Sequence, residues 1–471
     1  MGFIVLGLVL FTALYSAPPF NDAVDPYGRH FVLSHEGKGA LAVFLLALAW
    51  WIFDVFPIGV TGIIVGVMQA LFSIRPVRKI FNDFMDPSVM FIFASIAIGM
   101  VFAKTGLTRR MAYKVLSIIG ERTGMVYIGT FLITVLMSHF MAYTTVAATM
   151  FPLLLMINTM YADDRKPTRF GKGLFIGMAY VAGVGSTVTL LGAARAVVAI
   201  GFYKEIVGMD ITFFGFTKHT VVVAWVMVFL LIGFFLLFFR PEKKTIPGLR
   251  EKAKKLYAQL GPFSGREIGG ALIVAALALS AIIPSFEHLD KTAVILVSTL
   301  MFFIFKVLDI KDLEEIPWNT ILLYGGAMSI GFCLWETGAV KWLAIHCLSA
   351  FKNAHWFIFV IGITFFVLMT VNLVMNTAVI TIVLPVALVI SPYLGISPEV
   401  VFYCTILAAG MPFLLLAGAA PNAIAFESKQ FTLGEFFVAG IPASIMFLIV
   451  ISIAIWVIWP MLGMPVTLPV R

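Results

Sequence analysis

The chain has 471 residues, 61% of them hydrophobic and only 12% charged, with a mean hydropathy of +1.04. A soluble domain has about 25% charged residues, so this composition excludes a soluble globular protein and makes lipid the solvent for most of the chain. The net charge of +8 comes from basic residues in short loops, which reads as membrane orientation and not as nucleic-acid binding.

A spanning helix needs roughly 20 mainly apolar residues, and on that measure the chain divides into about eleven spans or half-spans. The first apolar run, Gly2 to Ser16, lacks a basic leader, and Ala17-Pro18-Pro19 is a poor cleavage context, so it reads as an uncleaved span. A polar loop, Asn21 to Lys38, follows, and then two spans joined tightly at Asp54 to Gly59. A first repeat opens at Asp86-Pro87; its first span ends at Lys104-Thr105-Gly106-Leu107. Leu107 to Arg122 is short, basic and apolar at helical spacing, as expected of a helix lying in the interface plane.

Met125 to Tyr161 is too long for one straight span, and polar residues interrupt its middle. It reads as a re-entrant hairpin with its tip at Ala142-Tyr143-Thr144-Thr145, tolerated at that depth only where protein or a watery cavity surrounds it. Gly171 to Gly208 holds Gly183, Gly185, Ser186, Thr187, Thr189 and Gly192 at mid-span. That density suggests an unwound span; the alternative is close packing through small residues. Arg240, Lys243, Lys244, Arg250, Lys252, Lys254 and Lys255 crowd one connection, which marks it as cytoplasmic. Arg165, Lys166, Arg169, Lys104, Arg109, Arg110 and Arg122 agree, whereas Arg75, Arg78 and Lys79 fall on the opposite side. Within the linker, Leu249, Ala253, Leu256 and Leu260 share one face of a helix that either lies in the interface or is solvated.

The second repeat opens at Ile316-Pro317, and Glu336-Thr337-Gly338 matches Lys104-Thr105-Gly106. His139 to Pro152 returns as Asn372 to Pro385, so Thr144 falls on Thr377 and the second tip lies at Met375-Asn376-Thr377. Leu191-Gly192-Ala193-Ala194-Arg195 returns as Ala417-Gly418-Ala419-Ala420-Pro421. An odd number of crossings separates the two starts, which makes the repeats inverted, as in carriers that alternate access. The expected fold is an all-α polytopic membrane protein with two re-entrant hairpins in inverted repeats. Its parts are N-terminal spans (1–85), a first repeat (86–240), a linker (241–266), connecting spans (267–315) and a second repeat (316–471).

Broken helices offer free N–H groups to an anion, and freed carbonyls with Thr or Asn side chains to a cation. Thr144, Thr145, Asn376 and Thr377 are the candidate anion contacts at the tips, joined by Pro421 and Asn422 in the second interrupted span. Gly185, Ser186, Asn376, Gly418 and Ala419 are the candidate coupling-ion positions, and sodium is the one candidate ion. Arg195 stands in an apolar stretch, where a charge costs roughly 3 kcal/mol or more and is normally kept for function. It reads as a bidentate carboxylate ligand, a structural ion pair or a snorkelling side chain. His139 is either proton-linked or a satisfied polar residue. Cys333, Cys347 and Cys404 have no metal or disulfide spacing, and the sequence shows no catalytic triad, phosphate loop or nucleotide motif, so no cofactor and no enzyme activity are expected.

From Ala42 to Gly463 the chain resembles the divalent anion:sodium symporter family, of the ion transporter superfamily. The best match is Met375-Asn376-Thr377-Ala378, then Gly418 to Phe426, then Phe431-Thr432 through Gly440-Ile441-Pro442. The resemblance implies a homodimer in the cell membrane, an elevator-type motion and a small anionic substrate, a di- or tricarboxylate or sulfate. It also implies a Ser-Asn-Thr triplet at each tip; here the triplets are Ala142-Tyr143-Thr144 and Met375-Asn376-Thr377, so Thr144, Asn376 and Thr377 carry over as substrate contacts. The missing serine and asparagine, with Arg195 in the same half, lead to an expectation of weak or absent sodium dependence, replaced by exchange or by proton coupling through His139. The leading function is a secondary carrier of dicarboxylates. The alternatives are a carrier of inorganic or sulfonated oxyanions, a cation/proton exchanger, and, in another class, an anion channel or membrane sensor.

Overall fold

A computed structural model describes residues 2–162, 166–282, 289–351 and 355–468; Arg165, used above for orientation, lies outside them. Helix α1 (Gly2–Tyr15) leads to a small antiparallel hairpin, Ala23–Val24 against His30–Phe31. A first series follows: α2 (His35–Ile52), α3 (Ile58–Leu71), α4 (Val77–Asn82), α5 (Pro87–Thr105), α6 (Leu107–Ile119), α7 (Thr123–Ser138), α8 (Tyr143–Tyr161), α9 (Arg169–Gly185), α10 (Ala194–Val207) and α11 (Phe213–Phe238). Helix α12 (Leu249–Gln259) then links to α13 (Gly265–Ile282), α14 (Lys291–Ile304), α15 (Ile310–Glu314), α16 (Trp318–Glu336), α17 (Ala339–Phe351), α18 (Trp356–Thr370), α19 (Asn376–Ile390), α20 (Pro398–Ala409), α21 (Ala420–Phe426) and α22 (Leu433–Ile453). A π-helical turn, Ala454–Ile458, and α23 (Trp459–Met461) close the chain.

Five segments among the described residues are long and apolar enough to cross a membrane: Val77–Thr105, Tyr143–Tyr161, Phe213–Phe238, Asn376–Tyr393 and Leu433–Met461. Most other apolar helices are shorter, because the chain interrupts them where its polar, glycine and proline residues fall. Local chemistry sets the starts. Asp86 caps α5 by accepting from the Ser88 N–H, with Pro87 in the first turn. Thr432 and Glu435 form a capping box on α22. The matched glycines Gly106 and Gly338 have φ of 83° and 78°, a left-handed turn that favours glycine. On α12, Leu249 and Ala253 are buried and Leu256 and Leu260 half-buried, as the face read from sequence requires.

The two series run in the same element order and exchange contacts. Helix α3 packs on α16, and its counterpart α14 packs on α5; α10 packs on α19, while α21 packs on α8. The α3–α16 contact is backbone to backbone. A side chain at Gly326 would fall on Gly62, one at Gly62 on the Leu322 carbonyl, and the Gly59 N–H donates to Asn319 Oδ1 at 2.7 Å. Small residues allow this approach.

Both ends of the α7–α8 pair are tied to the segment after α11. The Thr123 N–H donates to the Lys244 carbonyl at 3.1 Å, and the Tyr161 hydroxyl donates to Glu242 at 2.8 Å. Burial alone would raise the Glu242 carboxyl, but hydrogen bonds from the Arg169 N–H, Tyr161 and the Phe170 N–H outweigh it and hold the group below its usual range. The ends of α18–α19 are tied likewise to the segment after α22: the Trp356 and Trp456 rings meet tilted, with centroids 5.1 Å apart, and the Ser397 N–H donates to the Val466 carbonyl at 3.0 Å. Each broken pair therefore starts and ends near one place.

Candidate functional site

The breaks fall at 139–142 and 371–375, so α8 and α19 begin at the tips read from sequence. The interrupted spans unwind at 186–193 and 410–419. Gly183 and Gly185, expected in the unwound stretch, form the last turn of α9. Among the described residues the N-termini of α8, α10, α19 and α21 lack a side-chain cap, as do those of α3, α6, α7, α16 and α20, whereas Ser34, Asp86, Thr168, Thr212, Asp290 and Thr432 cap other helices.

In each half the break is jammed against the unwound segment. A side chain at Gly192 would strike the Ser138 carbonyl, and one at the matching Gly418 would strike the Val371 carbonyl. Polar staples reinforce both seams. Asn372 Oδ1 accepts from the Leu414 and Leu415 N–H groups at 2.8 and 3.1 Å. The matching His139 sets Nδ1 3.0 Å from the Gly185 carbonyl. A carbonyl only accepts, so Nδ1 carries the hydrogen; Nε2 is buried without a partner among the described residues, and the ring packs edge-on to Trp225 at 5.9 Å.

The two halves meet around Arg195. The residue is 2% exposed, and its guanidinium has no carboxylate partner among the described residues. Nη2 donates to Ser186 Oγ at 3.1 Å, Nε has no partner among the described residues, and the group lies 5.8 Å from the centre of the Tyr143 ring. Asn376 Nδ2 donates to the Tyr143 hydroxyl at 3.4 Å, and Thr377 Oγ1 approaches Asn376 Oδ1 at 3.5 Å. Gly410, where the second interruption begins, has room for no side chain against Arg195 and Thr187. Tyr324, from the unbroken α16, lies near Thr377, Tyr143 and Arg195. Sequence reasoning missed Tyr324: a tyrosine inside a span is an ordinary packing residue, and only the fold brings it to the tips.

Several candidates sit differently from expectation. Thr144 is exposed, because Tyr143 takes the turn toward Arg195 and the next residue lies about 100° round the helix. Thr145 is half-buried, and its carbonyl accepts from Thr149 Oγ1 at 2.9 Å. Asn422 Nδ2 donates to the Pro412 and Leu415 carbonyls at 2.8 and 3.1 Å, which makes it a strut of the unwound loop, with Pro421 buried in the first turn of α21. Of the first-half ion positions, the Gly185 carbonyl is engaged by His139, and Ser186 Oγ donates to the Gly183 carbonyl at 2.7 Å while accepting from Arg195. A sodium ion there would be repelled by the guanidinium at close range. Gly418 and Ala419 remain buried beside the second break, near Asn372.

A family profile described as the sodium:sulfate symporter transmembrane region matches residues 30–465. The sodium-dependent dicarboxylate transporter SdcS of Staphylococcus saprophyticus is 23% identical over 465 residues, covering 93% of this chain and 89% of that one. Its namesake in Staphylococcus aureus is 25% identical over 467 residues, with the same coverage of 93% and 89%. Among solved structures, the YdaH transporter of Alcanivorax borkumensis superposes with a TM-score of 0.62 at 12% identity over 99% of this chain and 98% of that one. MtrF of Neisseria gonorrhoeae does so with a TM-score of 0.60 at 12% identity over 100% and 97%. These two likenesses speak to the fold alone. The expectation of weak or absent sodium dependence is overturned at this point: the relatives matched along 93% of the chain bear the name of sodium-dependent carriers.

Proposed function

The chain belongs to the divalent anion:sodium symporter family, as a multi-pass transporter of the cell membrane and not an enzyme, and on that premise we propose that it carries a small dicarboxylate together with sodium, bound between the two helix breaks. The observation behind the reading is the meeting of the α8 and α19 N-termini, Tyr143 to Asn376, beside a buried Arg195 that has no carboxylate partner among the described residues. Free N–H groups at two helix starts and a guanidinium are suited to an anion, and a bidentate carboxylate would offset the burial of Arg195. Asn376, Thr377, Tyr143 and Tyr324 supply further donors. Sodium enters through the second half, near Asn376, Gly418 and Ala419, since Arg195 occupies the equivalent place in the first.

Alternating access follows from the inverted repeats. In this reading α7–α8 and α18–α19 are re-entrant hairpins that travel with α9–α10 and α20–α21 as one body, elevator-fashion, past α3, α5, α14 and α16 of a homodimer. The jams at Gly192 and Gly418 support such a rigid body.

The test is uptake of labelled succinate into proteoliposomes, with sulfate as competitor, with and without sodium. Saturation, counterflow and sodium stimulation are expected. Asn376→Ala, Thr377→Ala and Arg195→Gln should each weaken apparent affinity about ten- to hundredfold, the worth of about 1.5–3 kcal/mol for a bond to a charged group. Flux that neither saturates nor shows counterflow would establish a channel instead.

A further inference from the structure

The chain also holds a cavity of about 410 Å³ away from the helix breaks, walled by α10, α16 and α19 together with Arg29, Lys341 and Tyr393. That volume suits a small organic ligand. The same helices line the tip site and this cavity. From Arg195 to Ile206 on α10, from Tyr324 to Trp335 on α16, and from Asn376 to Leu388 on α19, the rise is about 17 Å in each case. The cavity thus lies along their common course, at its far end. It is also on the face opposite the linker. Helix α9 starts at Arg169 against the Glu242 segment, and α10 ends at Val207, across the molecule.

Its electrostatics are built from few groups. Asp25 neutralises Arg29 at 2.6 Å, and both bond the Tyr393 hydroxyl, at 3.3 and 3.1 Å. Lys341 stands over the Trp335 ring at 4.8 Å and has no carboxylate partner among the described residues. The carbonyl ends of α10, α16 and α19 point this way and disfavour anions; the starts of α17 and α20 and the unmatched ammonium oppose them. Lys341, itself exposed, is the one lining charge without a charged partner among the described residues.

We infer that this cavity is a second, staging site for the substrate dianion, with Lys341 pairing one carboxylate before the anion reaches the helix breaks. The inference rests on the anion-carrier reading above, but its test is separable.

In protein lacking Cys333, Cys347 and Cys404, a Val389→Cys variant is reacted with an anionic sulfonate and a cationic trimethylammonium thiosulfonate of like size. The anionic reagent should react about five- to tenfold faster, as roughly 1 kcal/mol of attraction gives. Lys341→Gln should erase that ratio and raise the KM for uptake several-fold at unchanged kcat. Succinate should slow labelling, and still do so when Asn376→Ala and Thr377→Ala disable the tips. Ile206→Cys provides the same readout if Val389→Cys does not fold. Equal reaction with both reagents, or no protection by succinate, overturns the staging site even while wild-type uptake saturates. Loss of saturable uptake by wild type would instead overturn the carrier reading.

Discussion

His139 and Asn372 hold the same place in the two halves, and each staples a helix break to an unwound segment. Nobody would assign a proton to the asparagine, and the shared geometry argues that the histidine is likewise a strut. His139→Asn should therefore keep transport, with a pH profile across neutrality like that of wild type. His139→Leu should lose about 1–3 kcal/mol of stability, because it leaves the Gly185 carbonyl unpaired. A pH dependence that vanishes in the asparagine variant would return His139 to proton transfer. At this scale, legibility followed rarity. Arg195 stood out because a charge in an apolar run is rare, and Asn376 and Thr377 because they repeat. Tyr324 was invisible since tyrosines are common in spans, and alignment, which gives no helix azimuth, could not tell that Thr144 is exposed while the matching Thr377 is buried. For Asn422, a candidate ligand, the sequence did not show that its amide nitrogen also closes a loop.

Among elements, the breaks and unwound segments were readable because the residues that interrupt a helix are chemically distinct: proline, glycine and clustered hydroxyls. The clamps on the ends of the broken helix pairs were not readable. They consist of backbone bonds such as Thr123 to Lys244 and Ser397 to Val466, which no side chain announces. The α3–α16 contact is intermediate. Its glycines are visible in the sequence, but their partners are not. Here the fold predicts a sharp penalty. Gly62→Val would drive a side chain into the Leu322 carbonyl, and overpacking typically costs about 1–3 kcal/mol. The detergent-solubilised variant should melt at a lower temperature than wild type. A matching change at Gly233, where a side chain meets nothing within 4 Å, should be silent. Equal melting of the two variants would mean that the helices do not approach so closely in the membrane.

At the scale of the whole molecule, the basic linker predicts the orientation. Gln259→Cys, in protein without its native cysteines, should resist impermeant thiol reagents in intact cells; rapid labelling would reverse the topology. Arg75, which opposed that assignment, is buried and bonded to Asp83 at 2.8 Å and Glu336 at 3.0 Å, so packing and not the headgroup layer holds it. The buried Arg195 also has an electrical meaning. In the proposed reading its side chain is bonded into the body that would hold the anion, and it would stay behind when the anion and sodium depart. Under alternating access the unloaded protein swings back with a positive charge aboard. A transmembrane voltage does work on that charge of about 2.3 kcal/mol per 100 mV for a full crossing. An inside-negative cell would hold the empty binding site on its inner side. The turnover clock would then be set by membrane potential at the return stroke, with the loaded stroke closer to neutral.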